Sequence, residues 1–178
     1  MSPTPFELSE ATIRQVEPVL TAFAVRAVRH HSLAQDLVQE TYLAAIESRA
    51  SFEGRSTPRT WMVGILLRKI VDHFRRHKRE VLVDEVPELE APTRFATQPY
   101  VAPDRHLDDK RAMAVIDRAL PELSELERMA VLACDVEQLD REEACNAMGV
   151  RPTHLRVLLH RGRHKLRKAL EDAALRTG

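Results

Sequence analysis

The sequence predicts an all-α protein made of two small helical domains joined by an acidic flexible linker, the C-terminal one a helix-turn-helix. Three observations carry this. Glycine is scarce, five in 178 residues, and β-branched runs are few, so extended sheet has little to build on. Apolar residues recur at three- and four-residue spacing over most of the chain, the period of a helix with one buried face. Between about residues 80 and 104 that period fails: Pro87, Pro92, Pro99 and Pro103 interrupt any helix, and Asp84, Glu85, Glu88 and Glu90 face a lone Arg94. The expected division is a domain over 1–80, a linker over 81–106 and a domain over 107–178.

In chain order, residues 10–29 place Ile13, Val16, Leu20, Phe23 and Ala27 on one stripe, which predicts the first helix. A second is expected from Ser32 to about residue 47, with Ser32 and Gln35 spaced as a capping box. The segment FEGRSTP, 52–58, reads as a loop. A long helix over 60–79 follows, apolar first at Trp61, Ile65 and Leu66 and strongly basic last. Beyond the linker, residues 107–120 predict a helix, Ser124 with Glu127 caps another, Asp140 with Glu143 caps a third, and a basic helix runs from Pro152.

The zero formal net charge is a cancellation. Residues 1–79 hold 12 Lys/Arg against 8 Asp/Glu, 80–143 hold 7 against 17, and 144–178 hold 8 against 2. Two basic ends therefore flank an acidic middle, and each end can meet a polyanion separately. With 44% hydrophobic residues the chain can build cores. Cys134 and Cys145 have no CxxC spacing, which argues against a disulfide framework or zinc ribbon and for a reducing compartment. No apolar run reaches membrane-spanning length and MSPTPFELSE lacks a signal-peptide pattern, so the expectation is a cytoplasmic protein without direct membrane insertion.

The richest segment is RPTHLRVLLHRGRHKLRK, 151–168, with seven Lys/Arg and no Asp or Glu. Leu155, Leu158, Leu159, Gly162, Leu166, Ala169 and Leu170 share one stripe at 100° per residue, while Thr153, Val157, His160, Arg161 and His164 face away. DREEACNAMGV before it reads as a shorter helix closed by a turn at Gly149, with Cys145 as the small residue at the crossing. The pair is a helix-turn-helix whose second helix enters the major groove by its N-terminal end. Two other readings exist: a solvated basic helix, and a metal held by His160 and His164 at i, i+4, the latter lacking a carboxylate or thiol nearby in sequence.

The stretches DLVQETYLAAI (36–46), FEGRSTPRTWMVGILLRKIVDHFRRHKR (52–79), LPELSELERMAVL (120–132) and VRPTHLRVLLHRGRHKLRKALE (150–171) resemble, in order, a bacterial RNA polymerase sigma factor of the extracytoplasmic-function (ECF) group. The resemblance implies a DNA-binding transcription initiation factor without enzymatic activity or cofactor. It would bind RNA polymerase core through the clamp helices of the largest subunit and the flap of the second-largest, and promoter DNA through both domains. An anti-sigma factor would regulate it.

The resemblance assigns residues to these tasks. Asp36, Gln39, Glu40 and Leu43, at i, i+3, i+4 and i+7, would dock on the clamp. Phe52, Gly54, Arg55 and Ser56 would hold an extruded base of the minus-ten element, and Arg68, Lys69, Asp72, Arg75, Arg76 and Arg79 would grip its backbone and upstream edge. Arg151, Thr153, His154, Arg156, Val157, His160 and Arg161 would read the minus-thirty-five element. Trp61, one turn from Ile65, fits core packing better than base stacking.

Departures from the family pattern fall on readers. Pro58 stands where an aromatic is usual, Val63 and Arg68 where Tyr and Asn are common, Arg151 in place of a capping Ser, and Leu158 where an Arg is frequent. A free-standing helix-turn-helix regulator is the alternative binding protein. A helical metal hydrolase using His30, His31 and His73 fails on spacing, since adjacent histidines cannot face one way on a helix.

Overall fold

The computed structural model describes residues 9–52, 54–80 and 114–175, the side chains of 78–80 and 173–175 excepted. The expected acidic linker and the first part of the helix expected from residue 107 lie outside the described residues. Everything regular among them is helical.

Three helices form the N-terminal half: α1 (Glu10–Val28), α2 (His31–Glu47) and α3 (Pro58–Glu80). Ser9 starts α1, its Oγ accepting from the Thr12 N–H at 3.2 Å. The helix continues through Pro18, which has no N–H to donate, because Val16, Leu20, Phe23, Ala24 and Ala27 are buried on one stripe and packing outweighs the lost bond. It stops at Arg29, whose φ of 57° is left-handed.

The expected box at Ser32 is not the cap of α2. His30, extended directly after Arg29, accepts the Leu33 N–H on Nδ1 at 3.2 Å, and Ser32 already lies inside the first turn. The tight reversal at Arg29 leaves only two residues between the helices, so the imidazole takes the capping position. Similarly, α3 begins two residues before expectation: Thr57 Oγ1 accepts from the Thr60 N–H at 3.2 Å, and Pro58 sits where its missing N–H costs nothing. Met62, Val63, Leu66, Leu67, Ile70 and Val71 of α3 are buried against α1 and α2.

In the C-terminal half a short helix α4 (114–119) runs into a 3-10 turn, Leu120–Glu122. Then come α5 (Glu125–Val131), α6 (Arg141–Met148) and α7 (Pro152–Leu175). The Ser124–Glu127 box is reciprocal, with Glu127 N–H to Ser124 Oγ at 3.3 Å and Ser124 N–H to Glu127 Oε2 at 2.9 Å. A π-helical turn, Leu132–Val136, extends α5, closed by the Glu137 N–H on Leu132 O at 3.0 Å. Asp140 caps α6 through the Glu142 N–H at 2.7 Å rather than through the expected pairing with Glu143. Gly149, at φ 61°, ends α6 in the left-handed turn the sequence predicts.

The leucine stripe of α7 is confirmed at Leu155, Leu158, Leu159, Gly162 and Leu166, all buried, with Ala169 and Leu170 half-buried. Gly162 marks the closest approach to α5: a Cβ there would stand 2.7 Å from Val131 Cγ2. Two ion pairs fix α7 beside it, Lys165 Nζ to Glu127 Oε2 at 2.7 Å and Arg163 to Asp135 at 2.6 and 2.9 Å.

The halves are packed on each other, α6 against α3 and α5 against α1, and the buried residues form one continuous cluster. Arg128 of α5, 5% exposed, donates from Nε to Ala27 O of α1 at 2.9 Å.

Burial raises the Glu127 carboxyl, but the Lys165 hydrogen bond and those with Ser124 outweigh it and hold the group below the ordinary carboxylate value. A carboxyl depressed by folding adds stability that is present above its unfolded pKa and is lost as pH falls through the folded one. Thermal melts from pH 7 down to pH 3 should show the wild type losing stability through that window. Glu127→Gln should start lower at pH 7 and lose less on acidification.

At the α5–α7 crossing, Gly162→Val should cost about 1–3 kcal/mol by overpacking, read from urea unfolding. Adding Val131→Ala should recover part of it, and no recovery would mean the contact with Val131 is not what limits the site.

Candidate nucleic-acid interface

Because α7 buries its leucines, its remaining face turns outward from the first turn on. Arg151, Thr153, Arg156, His160 and Arg161 are exposed and His154 and Val157 half-buried, so the seven residues expected to read the minus-thirty-five element share one accessible surface. The helix N-terminus they surround adds a partial positive charge. Downstream, the cations change role: Arg163 and Lys165 are spent on Asp135 and Glu127 inside the domain. Leu158 is 5% exposed and contributes to the core.

The second cationic surface lies on α3 and the loop before it. Gly54, at φ 69°, and Arg55 are exposed, while Ser56 and Phe52 are half-buried. Phe52 packs on Trp61 with ring centroids 5.1 Å apart, and Trp61 packs against the core, the arrangement favoured from its spacing. Along α3, Arg68, Asp72 and Arg76 are exposed, and Arg76 Nε bonds back to Asp72 O at 3.3 Å. Lys69 Nζ lies 3.4 Å from Glu40 Oε2. Arg75 turns to the other half of the molecule: its Nη2 donates to Met148 O at 2.8 Å and Gly149 O at 3.3 Å. The side chain of Arg79 lies outside the described residues.

On α2, Asp36, Gln39, Glu40 and Leu43 are all exposed and make one stripe. Leu43 is 62% exposed, and Ile46, not included from sequence, is 47% exposed and continues the stripe by three residues. That i, i+3 continuation was the available signal. The stripe therefore sets two large apolar side chains in water beside carboxylates.

Between α2 and α3 an open groove of about 320 Å³ is lined by Leu33, Asp36, Leu37, Glu40, His73, Arg76 and His77. It joins the acidic stripe to the cationic helix. The His73 and His77 rings lie 4.1 Å apart, and burial, His77 and Arg76 all push His73 below the usual imidazole value.

Among the described residues no group of three or more His, Cys, Asp or Glu could hold a metal. Cys145 is buried and Cys134 partly so; burial, then Asp135, pushes the Cys134 thiol up to about 11, and burial raises Cys145 as well. Protonated thiols are poor nucleophiles and poor ligands, in keeping with packing roles. No helix of the described residues is long and apolar enough to cross a membrane.

Comparison with known proteins agrees with this geometry. Residues 12–80 match the family Sigma-70 region 2, and residues 113–166 match Sigma-70, region 4. The chain is 34% identical to the RNA polymerase sigma factor CarQ of Myxococcus xanthus, over 89% of this chain and 86% of that one. It is 28% identical to the ECF RNA polymerase sigma factor SigF of Caulobacter vibrioides, over 78% and 72% respectively. In fold it is similar to the sigma factor RpoE of Bartonella quintana, solved in complex with the anti-sigma factor NepR, with a TM-score of 0.61, 24% identity and coverage of 91% of this chain and 96% of that one. With both sigma regions present in order and a relative this similar along nearly its whole length, the chain belongs to the ECF-type RNA polymerase sigma factors, which act in transcription initiation by binding and not by catalysis.

Proposed function

We propose that this sigma factor brings core RNA polymerase to promoters by reading the minus-thirty-five element with the outward face of α7 and melting the minus-ten element with α3 and its preceding loop. The observation that carries the proposal is the pair of cationic surfaces, each built on a helix whose opposite face is locked into the core. Sequence would be read by Arg151, Thr153, His154, Arg156, Val157, His160 and Arg161 in the major groove. The loop at Phe52, Gly54, Arg55 and Ser56 would take an extruded base, while Arg68, Lys69, Arg75, Arg76 and Arg79 follow the strand and Asp72, an acceptor, reads a base amino group. Arg151 in place of a capping Ser and the buried Leu158 argue for a promoter preference of its own.

The acidic stripe of α2, Asp36, Gln39, Glu40 and Leu43 extended by Ile46, would dock on the clamp helices of the largest polymerase subunit, and region 4 on the flap of the second-largest. Regulation by an anti-sigma factor in the cytoplasm is in keeping with the NepR complex of the similar RpoE. Run-off transcription with core polymerase on a promoter library tests the whole reading; transcripts no different from those of core alone would overturn it.

Two substitutions separate its parts. Asp36→Lys with Glu40→Lys should abolish co-purification with core while lowering stability in the circular-dichroism melt by no more than about 1 kcal/mol, the loss of the exposed Glu40–Lys69 pair. Arg156→Ala or Arg161→Ala should weaken promoter binding by about 1–3 kcal/mol where a base contact is lost, with relaxed preference at one position. A phosphate contact would instead reduce the salt slope by about one. Unchanged binding and transcription in both would remove α7 from the promoter.

A further inference from the structure

Two histidines of α3 stand outside every role assigned above. His73 and His77 are one turn apart, and their rings lie side by side with centroids 4.1 Å apart and 35° between the planes. Histidines at i, i+4 on one helix face can chelate a single ion when each ring keeps a lone pair free. The Nδ1–H of His77 donates to His73 O at 3.1 Å, so the neutral ring keeps Nε2 as its acceptor. A backbone carbonyl orients metal-bound histidines in this same way. Burial, then His77 and Arg76, push the His73 imidazole below its usual value, so it is neutral at pH 7 and has a lone pair to give.

Both rings line the groove between α2 and α3, where two carboxylates, Asp36 and Glu40, stand against one guanidinium, Arg76. Glu40, and Glu125 from α5, act on His73 in the sense opposite to Arg76, so a favourable field for a cation reaches the ring. Lys69 meets Glu40 only at 3.4 Å and half in water, a weak tie. His160 and His164 share the spacing, but Asp135 and Glu127 beside that part of α7 are already held by Arg163 and Lys165.

We propose that His73 and His77 form a two-nitrogen site for a divalent transition-metal ion of the zinc, nickel or copper class in the α2–α3 groove. Bonds of about 2.0–2.1 Å set two ligand nitrogens about 3 Å apart, a spacing that rotation of the His73 ring about χ2 can meet. Among the described residues no group of three donors forms, so water completes the coordination and the ion stays exchangeable. Asp36 and Glu40 draw the ion in by their field and do not ligate it.

The test uses the untagged full chain and Zn2+ in chelator-free buffer, followed by titration calorimetry and by NMR of the imidazole nitrogens. The first equivalent should move the ring nitrogens of His73 and His77 ahead of those of the other histidines. His77→Ala, at an exposed position where the fold is not at risk, should weaken that step by at least about tenfold, the lower end of what even an outer-shell partner contributes at metal sites. His73→Ala should do the same, and His164→Ala, which breaks the other pair, should leave the step unchanged. Ni2+ and Cu2+ should compete with Zn2+ and Mg2+ should not, because imidazole suits the former and oxygen donors the latter. A first step insensitive to both His73→Ala and His77→Ala, or one lost with His164→Ala, would overturn the site. Displacement of Zn2+ by Mg2+ would overturn it as well, by placing the ion on the carboxylates.

Discussion

The structure depends on α3 being two helices in one. Its inner side, from Met62 to Val71, completes the N-terminal core, and its outer side carries the cations at Arg68, Arg75 and Arg76. An isolated basic helix would be held only by weak propensity, whereas a helix fixed by buried leucine and isoleucine can hold like charges close together at little structural risk. The same solution recurs in α7, where five buried positions keep the basic face outward. In both, apolar burial positions the charge, so binding power is not taken from stability.

The contact between the regions is of another kind. Arg128 is nearly fully buried, yet its hydrogen bonds go to main-chain carbonyls, Ala27 at 2.9 Å and Leu120 at 3.4 Å. Carbonyls satisfy the donors without a full opposing charge, and burial lowers the guanidinium's pKa, so the contact orients the domains more than it binds them. Interfaces of this polar type come apart on cue. The chain thus combines two packed helical units whose junction adds these polar contacts to a shared buried cluster.

What was legible in the sequence was local. The Ser124–Glu127 box, the glycine turn at 149 and the leucine stripe of α7 each depend on residues within one or two turns, and each is present in the structure. Ser32 misled because the left-handed Arg29 set the start of α2, and a histidine cap has no strong sequence signature. The π-helical turn at Leu132–Val136 and the clasps of Arg75 and Arg128 follow from packing between distant segments; no periodicity records a partner 73 or 101 residues away. For the same reason, charge counting could not separate the exposed Arg156 and Arg161 of α7 from Arg163 and Lys165, which belong to the fold.

Gly162 divides that helix more sharply than its continuous backbone suggests. The residues proposed to face DNA end at Arg161, and from Gly162 onward come the tight crossing with Val131 and the tethers to Asp135 and Glu127. The first stretch pairs its exposed face with the buried Leu155, Leu158 and Leu159, and the second adds the polar tethers. On the proposed reading, a lineage that rewrites only the outer face of the first stretch inherits the buried anchors and the tethers intact, and the helix would serve as a replaceable key on a fixed shank.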